Sequence, residues 1–210
     1  MDTLLKKTII AAVIVGIIYL ALFLFFDRSI DLRIYETCSN SRIFQWGTAV
    51  SYAAKGDYIK LGIAACLILI IIIDPGIKRR WTRNLLFICL SCSIAIIVGA
   101  GLKFLLGRCR PIMLFEQNRY GMEFFSSKWK FNSTPSGHTL RAFSILTALS
   151  LLYRRFTPLF LSLAVLIGAS RVVVTAHYPS DVLFGAFIGI FSALWTYRYF
   201  FKKEDTPIRP

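Results

Sequence analysis

Six runs of apolar residues separated by short polar stretches set the pattern of this chain. The first, Thr8 to Phe26, follows Lys6 and Lys7 and is closed by Asp27 and Arg28. With no small-residue cleavage site after it, the run reads as an uncleaved first span and not as a signal peptide. Further runs cover about Asp57 to Ile73, Asn84 to Leu106, Pro135 to Leu152, Pro158 to Ala176 and Asp181 to Phe200. Each is close to the ~20 residues that a helix needs to cross a bilayer. Between the first two, Asp27 to Gly56 is mixed, with Trp46 and Tyr52 among polar residues, and predicts a loop plus an interfacial helix. Asp74-Pro75-Gly76 and Tyr153-Arg154-Arg155 mark turns, and Gly107 to Thr134 is a long polar stretch. The pattern predicts an all-α polytopic membrane protein, six transmembrane helices bundled in a single domain over 1–210. Its chemistry-bearing core lies at about 84–200.

Composition supports the bilayer: 56% of residues are hydrophobic and only 17% charged, which excludes an ordinary soluble globule. The formal charge of +14 would suit a nucleic-acid binder, yet the basic residues sit in short clusters between apolar runs, not along one face. They fall before span one, between spans two and three, between four and five, and after span six at Lys202 and Lys203. These are alternate ends, so the positive-inside rule puts all of them, and both termini, in the cytoplasm. Trp195, Tyr197 and Tyr199 fit an inner aromatic belt. The loop joining spans three and four and the turn joining five and six then share the outer face. Five cysteines give no disulfide framework or metal spacing. Cys89 and Cys92 read as small buried hydrophobes, and a Cys38–Cys109 bridge is left open.

Three polar islands lie at those outer junctions. Lys103 precedes Arg110 by seven residues, about two turns if the helix continues, so both cations would project to one side and neutralise a phosphate. In Thr134-Pro135-Ser136-Gly137-His138, Thr134 can cap a helix and Pro135 fits its first position. That leaves the N–H groups of Ser136 and Gly137 for an anion, with His138 able to protonate a leaving oxygen. In Ser170 to Asp181, Arg171 sits deep in span five and so faces a polar cavity. His177 and Asp181 bracket the turn, where a carboxylate would fix the imidazole tautomer and free the other nitrogen to attack. The chain has two histidines, and both lie in these islands. Two histidines and an aspartate among cations make a poor metal site, so the expectation is an anion site with no metal and no cofactor.

Lys103 through Arg110-Pro111, Pro135-Ser136-Gly137-His138, and Ser170-Arg171 through His177 to Asp181 together resemble the three signature motifs of the type 2 phosphatidic acid phosphatase (PAP2) superfamily, in order. The resemblance implies a helical membrane bundle that hydrolyses a lipid phosphate or pyrophosphate through a phosphohistidine. His177 would be the nucleophile, Asp181 its orienting partner and His138 the general acid. Lys103, Arg110, Ser136, Gly137 and Arg171 would hold the phosphoryl oxygens. It implies a bacterial inner membrane, an extracytoplasmic site and an envelope lipid such as undecaprenyl diphosphate, lipid A phosphate or phosphatidylglycerophosphate. The alternatives are a lipid phosphotransferase and a silent phospholipid-binding relative. It assigns no role to Arg108 and no oligomeric state; Arg141, one turn beyond His138 and outside the motifs, is left open between contacting a second phosphate and pairing within the bundle. The loop Ile112 to Phe131, rich in aromatic and basic residues, suits a cap on the headgroup layer.

Overall fold

The computed structural model describes residues 2–39, 41–53 and 56–201, and among them the architecture is all-helical. The helices are α1 (Thr3–Ala21), α2 (Asp27–Cys38), α3 (Arg42–Ala53), α4 (Gly56–Ile73), α5 (Arg80–Leu106), α6 (Pro111–Gln117), α7 (Gly137–Leu152), α8 (Thr157–Val173) and α9 (Pro179–Thr196). Among the described residues, five helical stretches, carried by α1, α4, α5, α8 and α9, are long and apolar enough to cross a membrane. The predicted fourth span is α7, shorter at 16 residues because its first turn begins at Gly137 inside the polar island. The Lys202–Lys203 cluster lies outside the described residues.

The pattern of burial explains the arrangement. α7 packs against α5, α8 and α9 and buries Leu140, Phe143 and Ala148 among them. α1 buries no residue and exposes Ile10, Ile17 and Leu20, an apolar surface suited to lipid. At one end of the bundle Arg198 pairs with Asp2 at 2.5 Å and Trp195 donates to Thr8 at 3.0 Å, so α1 and α9 run antiparallel. The opposite end gathers the polar islands.

Asp27 to Gly56 departs from the expected loop and single interfacial helix. α1 runs through a wider π-helical turn, Leu22–Phe26, directly into α2, and α3 follows. A polar residue in a continuing helix needs only a polar neighbour, and Asp27 has one inside the protein. The expected Pro135 helix start also shifts: Thr134-Pro135 is a cis peptide ahead of the helix and Ser136 is the cap residue.

The tightest contact is between α7 and α9. A Cβ at Gly189 would lie 2.5 Å from the Leu140 carbonyl oxygen and 2.8 Å from Phe143 Cβ, so glycine lets the two backbones touch. Gly189→Ala should therefore destabilise the protein by about 1–3 kcal/mol, the usual cost of overpacking. Thermal and denaturant unfolding in detergent micelles measures it, and an unchanged midpoint would contradict this packing.

Candidate active site

Helix ends build the site. α5 stops at Gly107, whose backbone is left-handed (φ 55°) and whose N–H donates to the Lys103 carbonyl at 3.0 Å. A Cβ there would sit 1.6 Å from the Glu123 carbonyl oxygen, so the turn demands glycine. Lys103 and Arg110 are thus not two turns apart on one helix, as the spacing suggested. They meet through the loop instead: Lys103 Nζ donates to the Asn132 carbonyl at 2.7 Å, and Arg110 Nη2 reaches the same oxygen at 3.3 Å. Arg110 Nε also donates to the Trp129 carbonyl at 3.0 Å, and its guanidinium lies over the Trp129 ring.

Arg171 sits in the last turn of α8, not deep within it, and its carbonyl oxygen accepts the backbone N–H groups of Ala176 and His177 at 3.0 and 3.3 Å. This knot turns the chain and binds His177 to the helix end that carries Arg171. Lys103, Arg110, Arg171, His138, Gly137 and His177 all line one cavity of about 520 Å³. Arg141 lines it too, with Tyr35, Ile112, Phe115 and Trp129 forming an apolar flank. Tyr35 of α2 stacks on Phe115 of α6 at 4.2 Å.

Two expected phosphate or catalytic residues stand behind the cavity wall. Ser136 is fully buried; its N–H donates to the Asp181 carbonyl at 3.0 Å and its Oγ accepts from Thr139 at 2.9 Å. Of the two amides expected to face an anion, only that of Gly137 belongs to a residue lining the cavity. Asp181 is also fully buried, and its Oδ2 lies 3.7 Å from His177 Nδ1, longer than a hydrogen bond. That oxygen already accepts from Ser133 Oγ at 2.5 Å and from the Tyr178 N–H at 3.0 Å.

Asp181 is anchored from behind by Arg108, a residue with no assigned part in the sequence reading. Arg108 has no solvent exposure. Its Nη1 donates to Asp181 Oδ1 at 2.6 Å and to Ser180 Oγ at 2.5 Å, and its Nη2 donates to Asp27 Oδ2 at 2.8 Å and Tyr120 Oη at 3.0 Å. Phe23 and Tyr178 lie against the guanidinium, 4.8 and 4.3 Å from its carbon. Asp27 in turn accepts the Ser180 N–H at 3.2 Å, which ties α2 to the first turn of α9. Asp27 and Ser180 were missed by sequence reading, in which Asp27 only flanked span one. The available signal was the four-residue spacing of Asp27 and Asp31, which puts both on one face of a continuing helix; both are fully buried.

Burial holds His177 well below the usual histidine range, Arg110 and Lys103 push the same way, and Asp181 only partly opposes them. The imidazole is therefore neutral at pH 7 and carries a lone pair. Burial also lowers Arg110, to about 10, which leaves it charged. For Arg108 burial acts downward too, but Asp181, Tyr19 and Asp27 outweigh it and raise the value. The site combines a neutral imidazole, a buried carboxylate behind it and a cavity lined by cations without a carboxylate among the described residues. Such a set can bind a phosphoryl group and present a nitrogen to it.

Residues 84–205 match the family model of the PAP2 superfamily. The chain belongs to that superfamily. A PAP2 relative, lipid A 1-phosphatase of Rhizobium etli, is 39% identical over 99 residues, 47% of this chain. The chain spans only 43% of that relative's length. Crystal structures share the PAP2 fold: LpxE of Aquifex aeolicus has a TM-score of 0.57 at 24% identity, covering 80% of this chain and 94% of that one. The transmembrane PAP2 type phosphatidylglycerolphosphate phosphatase of Bacillus subtilis has 0.62 at 20% identity, covering 97% and 99%.

The Arg108 network generates a test. Arg108→Met leaves two buried carboxylates without their cation and should cost about 3–5 kcal/mol of stability. Because the three charges act together, Asp27→Asn combined with Arg108→Met should cost less than the sum of the single changes. Unfolding in detergent micelles reads both; an Arg108→Met protein as stable as wild type would contradict the network.

Proposed function

We propose that this PAP2 protein hydrolyses the terminal phosphate of a membrane lipid phosphate or pyrophosphate without a metal ion, through a phosphohistidine on His177. The observation that carries the reading is the placement of a neutral, buried His177 in the wall of a cavity shared with Lys103, Arg110 and Arg171. Nδ1 faces Asp181 and carries the proton, so Nε2 is the attacking atom. The three cations and the Gly137 amide hold the phosphoryl oxygens and offset the charge of the transition state. Nε2 forms a bond to phosphorus as the bond to the leaving oxygen breaks, and His138 gives that oxygen its proton. Water then attacks the phosphohistidine, His138 takes a proton from it, and phosphate leaves.

The lipid class follows from place as well as from charge. Basic clusters Lys78 to Arg83 and Arg154–Arg155 lie away from the site end, which supports a cytoplasmic position for them and for the end where Asp2 meets Arg198. With α7 as the sixth span, the cavity opens on the extracytoplasmic side of a bacterial inner membrane. The apolar flank formed by Tyr35, Ile112 and Phe115 suits the first carbons of a lipid tail beside its headgroup. The name of the Rhizobium relative favours an envelope lipid.

Phosphate release by the purified protein, across lipid A, undecaprenyl diphosphate, phosphatidylglycerophosphate and phosphatidic acid, tests the reading. At least one lipid should yield free phosphate in the presence of a chelator. His177→Ala should lower that rate roughly 10⁴-fold or more while the protein stays folded. Strict dependence on a divalent metal, transfer of the phosphate to another alcohol, or an active His177→Ala protein would each contradict it.

A further inference from the structure

The carboxylate behind His177 is held by a cation that cancels its charge. Arg108 Nη1 donates to Asp181 Oδ1 at 2.6 Å, and neither side chain has any solvent exposure. Taken alone, that pair is neutral. A neutral pair is a poor support for the imidazole in front of it. Attack by Nε2 on phosphorus, with Nδ1 keeping its proton, leaves a positive charge on the His177 ring. Charge that develops in a buried site is stabilised by opposite charge already fixed there.

Asp27 changes the balance. Its Oδ2 accepts from Arg108 Nη2 at 2.8 Å, so each terminal nitrogen of the guanidinium meets one carboxylate. Among the described residues Asp27 and Asp181 are the charged partners of Arg108, and its other two acceptors, Ser180 and Tyr120, are neutral hydroxyls. Two carboxylates against one guanidinium leave the cluster behind His177 with one net negative charge. Asp27 is not among the residues that line the cavity, so this charge supports the imidazole without facing the phosphate.

The way Asp27 is held fits that role. The Ser180 N–H donates to its Oδ1 at 3.2 Å and the Ser180 hydroxyl to its Oδ2, which fixes the carboxylate against the first turn of α9, where Asp181 also lies. Asp31, one helical turn further along α2, is equally buried, yet neither of its oxygens has a hydrogen-bond partner. Arg108 therefore draws on Asp27 and not on its helical neighbour. Asp27 also precedes residues 84–205, which hold all three motifs.

We propose that Asp27 is a positioning residue for the reaction: by offsetting Arg108 it keeps the charge behind His177 net negative, so that Asp181 holds the Nδ1 proton and stabilises the ring as Nε2 is phosphorylated. The proposal rests on the phosphatase reading above. Asp27 acts through Arg108 and Asp181 and not on the lipid, so its charge governs the rate of phosphoryl transfer and leaves lipid affinity to the cavity cations.

The test measures kcat and KM for the full-length protein in detergent, with the lipid of the panel above that releases phosphate fastest. Asp27→Asn removes the charge and keeps the shape; it should lower kcat by more than about tenfold, as loss of an outer partner of a reacting group does, with KM within about threefold. Asp31→Asn, which removes a carboxyl that Arg108 does not use, should keep kcat within about threefold of wild type. Adding Arg108→Gln to Asp27→Asn returns the cluster to one net negative charge and should bring kcat back to within about tenfold of wild type, which no loss of packing would do. A smaller effect of Asp27→Asn, a loss confined to KM, an equal loss in Asp31→Asn, or a double variant as slow as Asp27→Asn would each overturn the proposal. If Asp27→Asn does not fold, the double variant decides alone: kcat within about tenfold of wild type supports the proposal and a deeper loss overturns it. If wild type releases phosphate from no lipid, the phosphatase reading fails and the charge is read without substrate, by 15N NMR of the His177 ring. A proton held on Nδ1 in wild type that moves toward Nε2 in Asp27→Asn supports the role of Asp27; an unchanged tautomer overturns it.

Discussion

One buried charge, Arg108, organises the end of the bundle where the chemistry lies. A guanidinium with no exposure would be prohibitively costly alone, so it must be met by acceptors from several directions at once. Asp27 comes from the helix that follows α1, Asp181 and Ser180 from the start of α9, and Tyr120 from the loop after α6. Satisfying one side chain therefore draws together segments up to 154 positions apart in sequence, from Asp27 to Asp181. Gly107, immediately before Arg108, makes the inward turn sterically accessible.

The same requirement shapes the site. Asp181 is held by Arg108, Ser133 and the Tyr178 amide, so it cannot move far toward His177; the imidazole must approach it. On the proposed reaction, the 3.7 Å gap is one that a small shift closes when substrate binds. On the proposed reaction the carboxylate acts from behind, outside the cavity, while the cations act from within it. On that proposal, separating the two keeps negative charge away from the phosphate, and the cavity lining holds cations without a carboxylate among the described residues.

Much of this was legible in the sequence, and the reasons for the rest are specific. Long apolar runs showed the helices because lipid imposes length and composition on any segment that crosses it. Lys103, Gly137, His138, Arg171 and His177 do meet in one cavity, since their islands lie at the same ends of alternate spans. Arg110 joins them by a different route, through a loop fold that no helical spacing can describe. Asp27 stayed hidden because an acidic residue after an apolar run looks like the edge of a membrane span. Only a partner more than 80 positions away, Arg108, makes it an interior residue. Ser136 looked like an anion ligand by position, but its amide is spent on the Asp181 carbonyl, a contact between α7 and α9 that spacing does not reveal.

The proposed reaction turns on what His177 does to phosphorus. The most direct measurement is rapid denaturing quench of the enzyme turning over lipid substrate, followed by proteolysis and mass spectrometry under alkaline conditions, where phosphohistidine survives. One phosphoryl group on His177 is expected, absent from His177→Ala and formed fast enough to support turnover. Phosphate released at full rate with no phosphorylated His177, or phosphate trapped on another residue, would contradict it.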